Sequence, residues 1–123
     1  MVQSDVLDEN GAEDLAVYAV WEPILRTDDE RSARKAAALF PDKRVKNYWV
    51  ATRDVGEAFQ TAIDLTTEPA WDVYLVYAPG VRWEKGEPPR PEFFMHQLGG
   101  RLPAAQRLDG PELASKLKEL LAR

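Results

Sequence analysis

Residues 71–80 read Trp71-Asp72-Val73-Tyr74-Leu75-Val76-Tyr77-Ala78-Pro79-Gly80. The run from Val73 to Ala78 carries an apolar or aromatic side chain at every position, and a Pro-Gly turn closes it. A short run that is apolar on both faces is typical of a strand buried inside a sheet. Segments with helical spacing precede and follow it in the chain. The stretch therefore predicts the central strand of an α/β sheet.

Three other stretches predict strands. Residues 15–21 are apolar and end at Glu22-Pro23, because proline cannot donate to a strand ladder. Residues 45–51 are less apolar, which favours a position nearer a sheet edge. Residues 93–98 are closed by a pair of glycines, which is typical of a turn.

Three helices are predicted between and after these strands. Thr27 and Glu30 have the spacing of a capping box, so the first helix is expected to begin there and to end near Phe40. The other two helices show apolar side chains at helical spacing: Val55, Ala58, Phe59, Ala62 and Ile63 in one, and Leu113, Leu117, Leu120 and Leu121 in the other.

The predicted order is β-α-β-α-β-β-α. A right-handed crossover through the first helix makes the first two strands parallel. The loop between the third and fourth strands has no helical pattern, so these two strands are expected to form an antiparallel hairpin. We expect one domain over residues 15–123, because this length suffices for a single core. Residues 1–14 carry five acidic and no basic residues and predict a flexible acidic arm.

Composition excludes several classes of function. The chain has 16 basic and 21 acidic residues, a net charge of −5, so no nucleic-acid partner is expected. It contains no cysteine, which excludes disulfides, thiolate metal sites and thiol chemistry. No cofactor and no metal site are predicted.

Targeting signals are not visible in the sequence. The N-terminus has no basic region followed by a long apolar one, so no signal peptide is expected. No stretch reaches the length that a membrane span requires. A complete chain is therefore expected in the cytoplasm, whereas removal of a leader would leave the compartment open.

The predicted order of elements, at these spacings, resembles the thioredoxin fold over residues 15–123. Residues 73–81 followed by residues 93–99 resemble the hairpin of that family, and residues 108–121 resemble its closing helix. The resemblance implies a four-stranded mixed sheet in the order 2-1-3-4, flanked by helices. A narrower resemblance, to a little-characterised bacterial group of thioredoxin-like proteins, is carried by Trp21 with Pro23, Tyr48-Trp49, Trp71-Asp72 and Tyr77-Ala78-Pro79.

The sequence departs from the thioredoxin pattern at the redox site. The stretch that matches the family's Cys-x-x-Cys motif is Glu22-Pro23-Ile24-Leu25, with Glu22 and Leu25 at the cysteine positions. Asp72 stands where the family carries a cis-proline. The resemblance therefore implies a redox-inactive domain, and disulfide exchange does not carry over to this chain.

Three functional hypotheses follow. The first is a protein- or peptide-binding module that uses the former redox face, with Trp21, Trp49, Trp71 and His96 as candidate contacts. The second is a non-redox enzyme or a binder of a metal or small ligand, in which Glu22 and Asp72 form a carboxylate pair. The third is a structural module that pairs through the edge strand at residues 45–51. No catalytic set is predicted, and the partner and the oligomeric state are open.

His96 has two interpretations at this point. It is the single histidine of the chain, so any imidazole chemistry would depend on it. A strand residue or a hydrogen-bonded core histidine is the alternative. The tryptophans also have two interpretations, because large aromatic side chains occur both in cores and at recognition surfaces.

Overall fold

The computed structural model of the chain describes residues 2–123. Its strands and α-helices follow the predicted order, with short 3₁₀ and π segments added. In chain order the elements are a π-helix at Val2–Leu7, β1 at Val17–Trp21, α1 at Glu30–Ala37, β2 at Val45–Trp49, α2 at Asp54–Phe59, a 3₁₀ turn at Thr61–Ile63, β3 at Val73–Val76, β4 at Phe93–His96, 3₁₀ turns at Gly99–Arg101 and Ala104–Gln106, and α3 at Gly110–Leu121.

The chain forms two compact units, one made of the residues up to Arg53 together with Gly110–Arg123, and the other of Asp54–Asp109. The first unit holds the sheet of β1 and β2, and the second holds the sheet of β3 and β4. The parallel pairing of the first two strands and the antiparallel pairing of the last two are confirmed. That all of residues 15–123 form one domain stays a prediction.

The predicted four-stranded mixed sheet in the order 2-1-3-4 is wrong. Each sheet in the described residues contains two strands, and no ladder joins β1 to β3. Val73–Val76 is therefore one arm of a hairpin and not the centre of a larger sheet, and its four residues are all half-buried. The physical reason is that an apolar run favours a strand but does not indicate how many strands flank it.

The first α-helix begins two residues later than the spacing of Thr27 and Glu30 predicts. Asp29 is its N-cap, and the Asp29 carboxylate accepts a hydrogen bond from the Ser32 amide at 2.7 Å. The Ser32 hydroxyl in turn accepts one from the Asp29 amide at 2.9 Å, which completes a capping box. Hydrogen bonds to the Asp29 carboxylate from Ser32, first of all from its amide, lower the pKa of Asp29.

The N-terminal segment is packed where the sequence predicts an arm, although Met1 lies outside the described residues. Val6 and Leu7 in the π-helix are each 2% exposed, and this helix packs against α3. On α3 the predicted apolar stripe is confirmed, since Leu113, Leu117 and Leu120 are buried. A charge-rich segment can therefore be anchored by a few apolar side chains. Its flexibility in solution stays a prediction.

One arginine holds the end of this segment. Arg44 donates to the main-chain oxygens of Leu7 at 2.7 Å and Ala12 at 3.0 Å, and also to that of Asn10. Its remaining donors engage both carboxylate oxygens of Asp42, at 3.0 and 2.6 Å. All five guanidinium N–H groups are thereby used. The hydrogen bonds from Arg44 and its positive charge hold the pKa of Asp42 well below its usual range.

The second unit is built on an apolar cluster below the hairpin. Its buried members are Ile63, Leu65, Ala70, Leu98 and Leu102. Val73 and Leu75 of β3 and Phe94 of β4 pack on this cluster, which explains why the hairpin pairs in the observed register. None of the helices in residues 2–123 is both long and apolar enough to cross a bilayer.

Candidate functional site

The hydrogen bonds between β1 and β2 use alternate residues of β1. The Val17 amide donates to the Arg44 oxygen at 3.2 Å, and the Val50 amide donates to the Trp21 oxygen at 2.9 Å. Val17 lies opposite Val45 and Trp21 opposite Trp49 in the register. In a parallel ladder the bonds are evenly spaced, so Val17, Ala19 and Trp21 face β2 with their main-chain groups.

The intervening residues of β1 form an open strand edge. The N–H and C=O groups of Tyr18 and Val20 point away from β2, and within residues 2–123 β1 pairs with no other strand. An open edge presents a row of donors and acceptors to which another extended chain can pair.

The side chains of the same residues lie on an exposed apolar face. Tyr18 is 61% exposed, Val20 43% and Tyr48 of β2 49%. The rings of Tyr18 and Tyr48 stack with their centroids 6.4 Å apart. Parallel strands are normally covered on both faces, so three adjacent, exposed, large side chains on a parallel pair are unusual.

The two edges of this sheet differ in charge. β2 contains the exposed Lys46 and Asn47, and a charged side chain on an edge strand discourages pairing with another chain. β1 has the sequence Val-Tyr-Ala-Val-Trp and carries no charge. The edge of β1 is therefore the unprotected one. Pairing through residues 45–51, the third hypothesis from the sequence, stays a prediction.

The two tryptophans predicted as contacts in this unit lie at the carboxyl ends of the strands. Trp21 and Trp49 are direct partners in the register and are half-buried. The Trp21 indole donates to the Asn47 side-chain oxygen at 2.9 Å, and its ring lies 6.3 Å from that of Phe40. Both tryptophans thus complete the covered face of the pair, opposite Tyr18 and Val20.

The stretch Glu22-Pro23-Ile24-Leu25 follows β1 as a loop that Arg53 holds. The Arg53 guanidinium donates to the main-chain oxygens of Pro23 at 3.0 Å and Ile24 at 2.6 Å. The Leu25 amide donates to the Asp28 carboxylate at 2.6 Å, while the Leu25 side chain is 59% exposed. Glu22 is half-buried. These hydrogen bonds therefore fix the loop at the carboxyl end of β1.

Trp71 and Asp72 lie in the second unit, just before β3. The Trp71 indole donates to Glu68 at 2.9 Å, and the other carboxylate oxygen of Glu68 lies 2.7 Å from Arg101. Asp72 has a left-handed backbone with φ of 49°. The residue is exposed as a whole, yet partial burial of its carboxyl raises the pKa of Asp72. Burial, and then the charge of Asp72, raise the pKa of Tyr74.

His96 is fully buried in the second unit. Its Nδ1 accepts a hydrogen bond from the Leu98 amide at 3.1 Å, and its Nε2 lies 2.8 Å from the Pro103 oxygen. An amide can only donate and a carbonyl can only accept, so the ring is the Nε2–H tautomer with both nitrogens engaged. This geometry suits a structural histidine, the second of the two sequence interpretations.

The predicted carboxylate pair is distributed over both units. Glu22 belongs to the first and Asp72 to the second. Their use as a pair stays a prediction. Among residues 2–123 no group of three or more histidine, aspartate or glutamate side chains could hold a metal ion.

The sequence analysis does not predict Tyr18, Val20 or Tyr48 as contacts of a partner. A strand with one uncovered apolar face and a strand buried on both faces have the same apolar run, so periodicity does not separate them. The usable signal was comparative: residues 17–21 carry no charge, whereas residues 45–49 carry Lys46.

No family model, curated protein or solved structure matches the chain. The resemblance to thioredoxin-like proteins therefore rests on the sequence patterns alone. What the fold and the site define is an α/β chain with an open, uncharged strand edge.

Proposed function

We propose that this chain is a protein-binding module that takes an extended segment of a partner protein as an added strand along β1. The observation that carries the proposal is the coincidence, on Tyr18 and Val20, of an open main-chain edge with exposed apolar side chains. In strand addition the main-chain hydrogen bonds supply affinity, and the alternating side chains supply specificity.

The side chains of the exposed face suit this role. An added strand beside β1 would place every second side chain next to Tyr18 and Val20, with Tyr48 behind them. Aromatic and β-branched side chains that lie across from each other stabilise strand pairs by about 0.2–1 kcal/mol each. Tyrosine is also enriched among the residues that dominate binding at protein interfaces.

A proline at position 20 tests the proposal. The Val20 amide points away from β2, so Val20→Pro removes a donor from the open edge without removing a bond of the β1–β2 ladder. Peptides can be selected from a displayed random library for binding to the wild-type chain. These peptides should bind the Val20→Pro variant about tenfold more weakly than they bind the wild-type chain. Fluorescence polarisation of the labelled peptides measures this loss.

Val20→Thr is the matched control, because threonine keeps the amide and the branched shape. Its affinity should stay within about threefold of wild type. Circular dichroism of Val20→Pro verifies that the fold is retained. Selected peptides that bind Val20→Pro as well as the wild-type chain would contradict strand addition at β1.

A further inference from the structure

Asn10 and Gly11 form an asparagine–glycine pair in the N-terminal segment. The main-chain nitrogen that follows an asparagine can attack the asparagine side chain, and glycine hinders this attack least because it has no Cβ and few backbone restrictions. Gly11 is exposed, and a Cβ added to it would meet no atom within 4 Å apart from its chain neighbours. The reaction at this pair is therefore controlled by the freedom of Asn10.

In the folded chain Asn10 is bound at its side chain and at both main-chain groups. The residue is 4% exposed, and its Nδ2 donates to the Val6 oxygen at 2.9 Å. The Asn10 amide donates to the Leu7 oxygen at 3.2 Å, and Arg44 donates to the Asn10 oxygen. Attack by the Gly11 nitrogen requires rotation of this side chain and of the adjacent main chain. These hydrogen bonds oppose that rotation.

We propose that Asn10 is a modification site, which deamidates when the N-terminal segment detaches from Arg44. The Arg44 guanidinium also binds the oxygens of Leu7 and Ala12, on either side of Asn10. Loss of these contacts therefore frees the main chain around the reacting pair. The rate of deamidation then follows the fraction of chains in which the segment is open.

The reaction needs only water as a co-reactant. The Gly11 nitrogen loses its proton to solvent and bonds to Cγ of Asn10. The Cγ–Nδ2 bond breaks, and Nδ2 takes a proton from water and leaves as ammonia. A second water molecule then opens the cyclic imide at either carbonyl, which yields aspartate or isoaspartate at position 10. No atom is oxidised or reduced, and the chain gains a negative charge.

Both products weaken the attachment of the segment. Each lacks the Nδ2–H group that donates to the Val6 oxygen. The aspartate product leaves a carboxylate, which can only accept, at a buried position, and this is costly without a donor. In the isoaspartate product the main chain gains a carbon atom between Leu7 and Ala12, whose oxygens Arg44 binds together. Deamidation therefore makes the detachment permanent.

Peptide mapping by mass spectrometry of chains kept in mildly alkaline buffer tests the proposal. Arg44→Ala should deamidate at Asn10 about a hundredfold faster than the wild-type chain, because its segment is open more of the time. Lys43→Ala, at an exposed neighbouring position, should deamidate at the wild-type rate. Asn47, the second asparagine of the chain, precedes Tyr48 and should stay intact throughout.

Gly11→Ala combined with Arg44→Ala is the matched chemical control. A methyl group beside the attacking nitrogen hinders the reaction, and the space at Gly11 accepts it. The double variant should deamidate several times more slowly than Arg44→Ala, although its segment is equally open. Circular dichroism verifies that each variant is folded, and Arg44→Lys takes the place of Arg44→Ala if the alanine variant does not fold.

Asn10→Asp tests whether the product keeps the segment open. The Asp8 amide donates to the Gln3 oxygen at 2.8 Å within the segment, and in Asn10→Asp it should exchange with solvent about tenfold faster than in the wild-type chain. Equal deamidation rates in wild type and Arg44→Ala would overturn the proposal, as would an intact Asn10 in Arg44→Ala. Unchanged exchange in Asn10→Asp would overturn the permanent detachment.

Discussion

Replacing His96 with alanine should lower the free energy of unfolding by about 2–4 kcal/mol, since it opens a cavity and removes the hydrogen-bond partner of the buried Leu98 amide. The imidazole is fully buried and accepts from the Leu98 amide at 3.1 Å. It also donates to the Pro103 oxygen at 2.8 Å. The substitution leaves that amide and that carbonyl without these hydrogen bonds. Urea denaturation followed by circular dichroism measures the loss.

The neighbouring residue provides the control for His96. Gln97 is exposed and accepts one long hydrogen bond from the Tyr74 hydroxyl at 3.3 Å. Gln97→Ala should therefore cost less than about 1 kcal/mol. Equal losses in the two variants would show that His96 is not the buried, doubly bonded residue described here. In the wild-type chain, ¹⁵N spectra of the imidazole should show the Nε2–H tautomer.

Replacing Arg44 with alanine should release the N-terminal segment. The main-chain oxygens of Leu7, Asn10 and Ala12 lose their donor, and Asp42 loses the guanidinium that it binds with both oxygens. Cleavage by endoproteinase Glu-C after Glu9 should become about a hundredfold faster, because cleavage follows the population of the opened segment. Mass spectrometry of the fragments over time measures the rate.

Two variants separate hydrogen-bond geometry from charge at this position. Arg44→Lys keeps the charge but has no planar fork, so it should also release the segment. Lys43→Ala, at an exposed neighbouring position, should not. If Arg44→Lys resisted cleavage as well as wild type, charge alone would hold the segment and the geometric explanation would be wrong.

The lowered pKa of Asp42 predicts how the attachment of the N-terminal segment through Arg44 responds to acid. The pKa of Asp42 is lowered in the folded chain, chiefly by the hydrogen bonds from Arg44. A carboxylate with a lowered pKa contributes stability above its ordinary pKa, and this contribution is lost as the pH falls through the lower, folded value. Amide signals of the N-terminal segment should therefore keep their positions from pH 7 down to about pH 4.

Local pattern was enough to predict the strands, their pairing within each sheet and the apolar stripe of α3. It was not enough for the assembly of the sheets, because the apolar run at Val73 does not state how many strands lie beside it. The first helix shows a related limit. Thr27 and Glu30 have the same spacing as Asp29 and Ser32, but the Asp28 carboxylate binds the Leu25 amide and keeps residues 25–28 in a turn.

Long-range contacts account for what the sequence could not supply. Arg44 binds the main chain of residues 7–12, more than 30 positions earlier. The acceptors there are main-chain oxygens. No pattern of side chains in the sequence therefore predicts the contact. At the site, the tryptophans drew attention because of their size. The indole N–H group of Trp21 donates a hydrogen bond to Asn47, and that of Trp71 donates one to Glu68. Their role as partner contacts stays a prediction.

Hydrogen exchange of the β1 amides tests the open edge most directly. The amides of Ala19 and Trp21 face β2 in the parallel register, whereas those of Tyr18 and Val20 face away from it. We expect slow exchange at Ala19 and Trp21, and exchange close to that of an unstructured peptide at Tyr18 and Val20. On addition of a bound peptide, Tyr18 and Val20 should become protected. Strong protection at all four amides in the free chain would mean that β1 is paired on both sides and has no edge to offer.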